Sequence, residues 1–96
     1  MEIVILVRSQ NVGRVITMNE LETFAKFTLD NGGVWFTLEK SDDYTLYKTQ
    51  DRYLHKNNYY YDTPIYQIFN AEGKRIFAGA DYLQAYNYYK KLMGGN

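Results

Sequence analysis

The stretch IYQIFNAEGKRIFA, residues 65–78, holds two β-prone runs around a polar turn, with Gly73 where a positive φ is needed. A chain that doubles back in this way pairs with itself in antiparallel fashion. Upstream, residues 34–38 (VWFTL) and 44–48 (YTLYK) flank the polar stretch 39–43 and read as a second hairpin. Two hairpins imply an antiparallel sheet. Between them, residues 49–58 are polar and poorly patterned, while Tyr59, Tyr60 and Tyr61 favour extended backbone. Pro64 has no N–H for a ladder, so it marks an edge or a strand start.

Helical signals bracket this sheet. Thr17 followed by Glu20 has capping-box spacing, and Ile16 with Leu21 stands at the staple positions. A helix over residues 18–30 follows, with Leu21, Phe24, Ala25 and Thr28 on one stripe and Asn31, Gly32 and Gly33 as an αL stop. At the other end, Asp81 and Gln84 repeat the capping spacing. Tyr82, Tyr86, Tyr89 and Met93 then recur at helical intervals towards Lys90, Lys91 and a Gly94 stop, and Tyr88 points elsewhere. Within residues 2–8 successive positions between Glu2 and Arg8 are apolar and mostly β-branched, as in a strand covered on both faces or central in a sheet. Turn residues Asn11, Val12 and Gly13 follow, and residues 14–16 form either a short strand or the approach to the helix. The expected fold is α+β: a small antiparallel sheet of four to five strands in β-α-β-β-β-β-α order, with two helices packed on one face.

Ninety-six residues, 46% of them hydrophobic, suit a single domain spanning 1–96. The absence of cysteine excludes disulfides and thiolate chemistry, and fits a reducing, cytoplasmic setting. Eleven basic side chains balance eleven acidic ones, so no global field draws the chain to nucleic acid or anionic lipid. The apolar run at residues 3–7 is too short for a signal core or a membrane span.

Catalytic constellations are missing. His55 is the single histidine; a nucleophile system would need Ser9 or Ser41, and neither lies in a recognisable nucleophile turn, so a solvated loop histidine is the better reading. Asp42 and Asp43 are adjacent turn formers without calcium-loop spacing. Gly73 with Lys74, and Gly32 with Gly33, lack a phosphate-loop context. Glu20 and Glu22 suit the first turn of a helix, where the macrodipole favours carboxylates. No enzyme, metal site or cofactor is expected.

The informative feature is aromatic excess, seventeen residues of which eleven are tyrosine. Exposed tyrosines bring large rigid area to an interface at small entropic cost. The expected partner-binding residues are Arg52, Tyr53, Lys56, Tyr59, Tyr60 and Tyr61, where cations and aromatics interleave. That mixture also suits a single-stranded nucleic acid, with stacking for bases and charge for phosphates. Asp51 and Asp62 flank it, so protein binding ranks first and nucleic acid second. A homodimer paired through a sheet edge near Pro64 is a further expectation.

Tyrosine, eight asparagines and seven lysines against four arginines match AT-rich coding. In size and composition the chain is similar to small phage and mobile-element proteins that act stoichiometrically on host machinery, anti-CRISPR and other anti-defence inhibitors among them. That similarity implies a non-enzymatic inhibitor of a host nucleoprotein complex, and assigns no residue.

Overall fold

A computed structural model describes the backbone of residues 3–7 and 14–94, and the side chains of residues 18–94. The elements, in chain order, are β1 (Ile3–Val7), β2 (Arg14–Met18), α1 (Glu20–Asp30), β3 (Val34–Lys40), β4 (Tyr44–Gln50), β5 (Arg52–His55), β6 (Asn58–Tyr61), β7 (Ile65–Asn70), β8 (Arg75–Gly79) and α2 (Tyr82–Leu92). The fold is α+β, and its central sheet has four antiparallel strands ordered β3-β4-β7-β8. Both expected hairpins are present in it. Gly73 has φ +78° in the β7–β8 turn, and Gly32 has φ +81° after α1.

The helices lie on opposite faces of this sheet, not on one face as expected. Neighbouring residues of a strand point to opposite sides, and on β7 both sides are covered. Ile68, with its cross-strand partner Leu46, is fully buried against Ala85 and Tyr89 of α2. Phe69, 1% exposed, turns the other way and meets Phe24 of α1, with ring centroids 6.2 Å apart, as well as Trp35 and Tyr47. The run Ile65 to Phe69 interrupts apolar residues only at Gln67, which is the pattern of a strand buried on both faces. Each of these buried side chains contributes about 1.5–3 kcal/mol by leaving water. Gln67 is buried without an orphan atom: its Nε2 donates to Thr49 Oγ1 at 2.8 Å and its Oε1 accepts from Arg75 Nη1 at 3.3 Å.

The start of α1 also differs. Asn19, not Thr17, is the N-cap: Glu22 N donates to Asn19 Oδ1 at 2.8 Å and Asn19 N donates to Glu22 Oε1 at 3.1 Å. Thr17 is unavailable because β2 continues to Met18 and pairs Thr17 with Val4. The same observation settles residues 14–16 as strand. Among the described residues β1 pairs with β2 alone, so it is not central in a sheet. The side-chain cover of β1, the Ile16 half of the staple, the turn at residues 11–13 and Ser9 lie outside the described residues.

Asp81 caps α2 as expected, accepting from Gln84 N at 3.2 Å. The core-facing residues of α2 are Ala85, Tyr86, Tyr89 and Leu92; Tyr82 and Met93 are exposed, and Tyr82 stacks on Tyr86 at 5.8 Å. Tyr88 lies apart, stacked on Phe77. No helix among the described residues is long and apolar enough to cross a membrane.

Candidate functional site

Strands β4 and β7 do not end where the central sheet ends. After Gln50 and Asp51 the chain continues as β5, turns, and returns as β6 into Asp62, Thr63 and Pro64 before β7. The four strands β4 to β7 are therefore one long hairpin, whose inner half sits in the sheet and whose outer half overhangs it. Neither β3 nor β8 extends alongside the outer half, so among the described residues β5 and β6 pair only with each other. Between the pairs Thr49↔Ile65 and Arg52↔Tyr61, two residues lie on one strand and three on the other. That mismatch is bulge-like, and a bulge re-aims the strands that follow it. Pro64, which cannot donate a ladder bond, stands at the break and immediately precedes β7.

This geometry corrects the expected edge. Pro64 leads into β7, an interior strand of the central sheet with β4 and β8 on either side, so it marks a strand start there, and the open edges nearest it are those of the β5–β6 ribbon. The hairpin β5–β6 itself is missing from the sequence reading, which left residues 49–58 unpatterned. Its turn residues are Lys56 (φ +49°) and Asn57 (φ +65°), the two successive positive φ values of a type I′ turn.

All six expected partner-binding residues fall on this one element. Tyr53, Tyr59, Tyr60 and Tyr61, together with Leu54, keep 44 to 61% of their surface exposed. Antiparallel register sorts them into two faces. Arg52, Leu54, Tyr59 and Tyr61 share one, because Arg52 is opposite Tyr61 and Leu54 is opposite Tyr59. Tyr53 and Tyr60 share the other, their rings stacked at 5.7 Å and 27°, with His55 6.3 Å from Tyr60. Leu54 was overlooked because an isolated leucine among polar residues carries no periodic signal.

Arg52 differs from the other five. It is half-buried, its Nε donates to the Asn31 carbonyl at 3.1 Å, and its guanidinium lies 4.0 Å from the Tyr59 ring centroid. A cation at the C-terminal end of α1 complements the helix dipole, and a cation over a tyrosine ring is attracted by its quadrupole. Gly32 makes room for it: a Cβ there would collide with the guanidinium. Beside Arg52, Asp51 accepts a hydrogen bond from Thr28 Oγ1 at 2.8 Å, and Asp62 N donates to the Asp51 carbonyl at 2.8 Å. The base of the hairpin is thus fastened to α1.

The catalytic candidates do not assemble. His55 is exposed on the hairpin, while Ser41 is far along the chain in the β3–β4 turn, its hydroxyl engaged with the Tyr44 backbone. Glu22 is spent on the capping box. Glu20 accepts from Arg75 N at 2.8 Å, and that backbone hydrogen bond holds its carboxyl below the usual glutamate range. Among the described residues no group of three or more His, Cys, Asp or Glu is placed to hold a metal. A groove of about 480 Å³ lies between α1 and β7, lined by Phe24, Phe27, Ile65 and Gln67 among others. Its polar lining is engaged within the fold: the Thr28 hydroxyl donates to Asp51 at 2.8 Å, and Gln67 bridges Thr49 and Arg75.

No family model matches the chain, and no curated protein or solved structure matches it either. Function has to be read from the side chains themselves.

Proposed function

We propose that this chain is a non-enzymatic protein-binding module and that β5–β6 is its recognition element. One observation carries the reading: the overhanging hairpin holds four tyrosines and a leucine in water, where they stabilise no core. Large apolar side chains clustered on one exposed element are what interfaces use as anchors. The similarity in size and composition to small phage and mobile-element proteins makes a host nucleoprotein complex the first partner to try, and its inhibition the first activity to assay. The test is retention of proteins from a lysate of the encoding organism on the immobilised full chain, beside the double variant Tyr53→Ala/Tyr60→Ala. A partner held by the parent and lost by the variant is expected. A partner held equally by both overturns the role of the hairpin.

The stacked Tyr53–Tyr60 pair next to His55 and Lys56 favours one other reading, single-stranded nucleic-acid binding. On that reading each stacked base adds about 1–3 kcal/mol, and affinity falls steeply with salt as counterions are released. Anisotropy of labelled single strands at low salt separates the two, since the protein-binding reading expects no measurable binding there.

A further inference from the structure

Resting on the protein-binding reading, we infer that the β5–β6 hairpin works as a two-sided insert: it enters a protein cleft with apolar walls and a carboxylate at its floor. Three observations converge on this.

The first is the distribution of aromatics. A hairpin that docks flat needs one apolar face and keeps the other polar, the alternation seen in sheets with one wet side. Here one face offers Leu54, Tyr59 and Tyr61, and the other offers Tyr53 and Tyr60, all exposed. Only a partner with two walls covers both. From the Tyr53–Tyr60 pair to the tip the strands run about 10 Å, at roughly 3.3 Å per residue, which sets the depth of the cleft.

The second is charge. Residues 52–61 contain Arg52 and Lys56 and no acid. Arg52 is committed at the base, to the Asn31 carbonyl and the Tyr59 ring. Lys56, at the tip, makes no ion pair among the described residues. The insert therefore carries one available ammonium at its leading end, and complementarity across an interface calls for a carboxylate facing it. A nucleic-acid strand would call instead for cations spaced along the ribbon, and its sides carry Arg52 alone, committed at the base.

The third is the backbone of the turn. Lys56 holds φ +49° at the first central position, where asparagine or glycine fits without steric cost. A lysine there is a poor choice for the turn alone. Strain retained at an exposed tip is accounted for if the ammonium is used.

The experiment uses the full chain in a lysate of the encoding organism, with a zero-length carbodiimide that joins amines to carboxylates. Peptide mapping is expected to show Lys56 coupled to an Asp or Glu of the retained protein. Lys56→Arg keeps the charge and loses the coupling. Lys56→Asn relaxes the turn yet weakens binding by about tenfold or more, the loss of one desolvated charge pair. Leu54→Ala/Tyr59→Ala on one face and Tyr53→Ala/Tyr60→Ala on the other each weaken retention by at least about tenfold, with amide NMR of residues 52–61 checking that the hairpin persists. Loss from one face only means flat docking and overturns the insert. Coupling to a second copy of this chain, or retention abolished by nuclease, also overturns it. A parent chain that retains no protein at all sinks the protein-binding reading itself, a different failure from these.

Discussion

The inner and outer halves of the long β4–β7 hairpin are made of the same kinds of residue and have opposite fates. In the inner half Tyr47 and Phe69 pack under α1, while Leu46 and Ile68 pack under α2. In the outer half Tyr53, Leu54, Tyr59, Tyr60 and Tyr61 meet water on both faces. Residue type does not separate the halves; neighbours do. The inner strands have β3 and β8 beside them and a helix above and below, and the outer strands have only each other. An isolated two-stranded ribbon is marginal in water, and here Arg52 and Asp51 hold its base to α1.

The sharpest way to break this comparison is to delete an aromatic from each half. Phe69→Ala is expected to cost about 3–5 kcal/mol, as large-to-small changes do in a close-packed core. Tyr60→Ala, which loses the ring contacts with Tyr53 and His55 across the ribbon, is expected to cost less than about 1 kcal/mol. Urea unfolding followed by circular dichroism measures both. Equal losses would mean that the outer half is part of the cooperative unit.

The positive-φ turns of the two hairpins sharpen it further, because adding a Cβ at one and removing a Cβ at the other have opposite expected signs. Gly73→Ala puts a Cβ at φ +78° and into the side chain of Asn19, the N-cap of α1. Left-handed strain and a disturbed cap together are expected to cost about 2 kcal/mol. Lys56→Gly removes strain instead and is expected to tighten the hairpin by up to about 1 kcal/mol, read from slower amide exchange at residues 53–60.

The smallest effect is on pH. The Arg75 N–H lowers the Glu20 pKa in the folded chain, so this group adds stability above its unfolded value, about 4.3. That increment is lost as pH falls through the lower folded value. Glu20→Gln keeps an acceptor for Arg75 N and lacks the titration. Its stability should therefore fall less than the parent's between about pH 5 and 3.

Much of the inner half was legible in the sequence because local chemistry and tertiary need agree there. Residues 65–78 announce a hairpin, Gly73 announces positive φ, and Asp81 announces a cap. The N-cap of α1 was misplaced from Asn19 to Thr17, since the choice depends on where pairing between β1 and β2 stops. The faces of the two helices depend on how the chain crosses the sheet, though the near-continuous apolar run from Ile65 to Phe69 already signals cover on both sides. The outer hairpin escaped for a physical reason: exposure on both faces erases the period of two that betrays a strand, and Lys56-Asn57 is not a usual turn pair. The six residues singled out still fall on one element, because tyrosine and cation density needs no register to be seen.

The overhang has a practical corollary. Lys56 is an exposed trypsin site at the tip of the ribbon, the kind of place where nicking concentrates. A cut there leaves β4 on one fragment and β7 on the other, still paired from Tyr44↔Asn70 to Thr49↔Ile65 and still clasped between the helices. The nicked chain should migrate as two pieces under denaturing conditions and as one particle otherwise. Its halves, made separately, would then be a natural pair for fragment complementation.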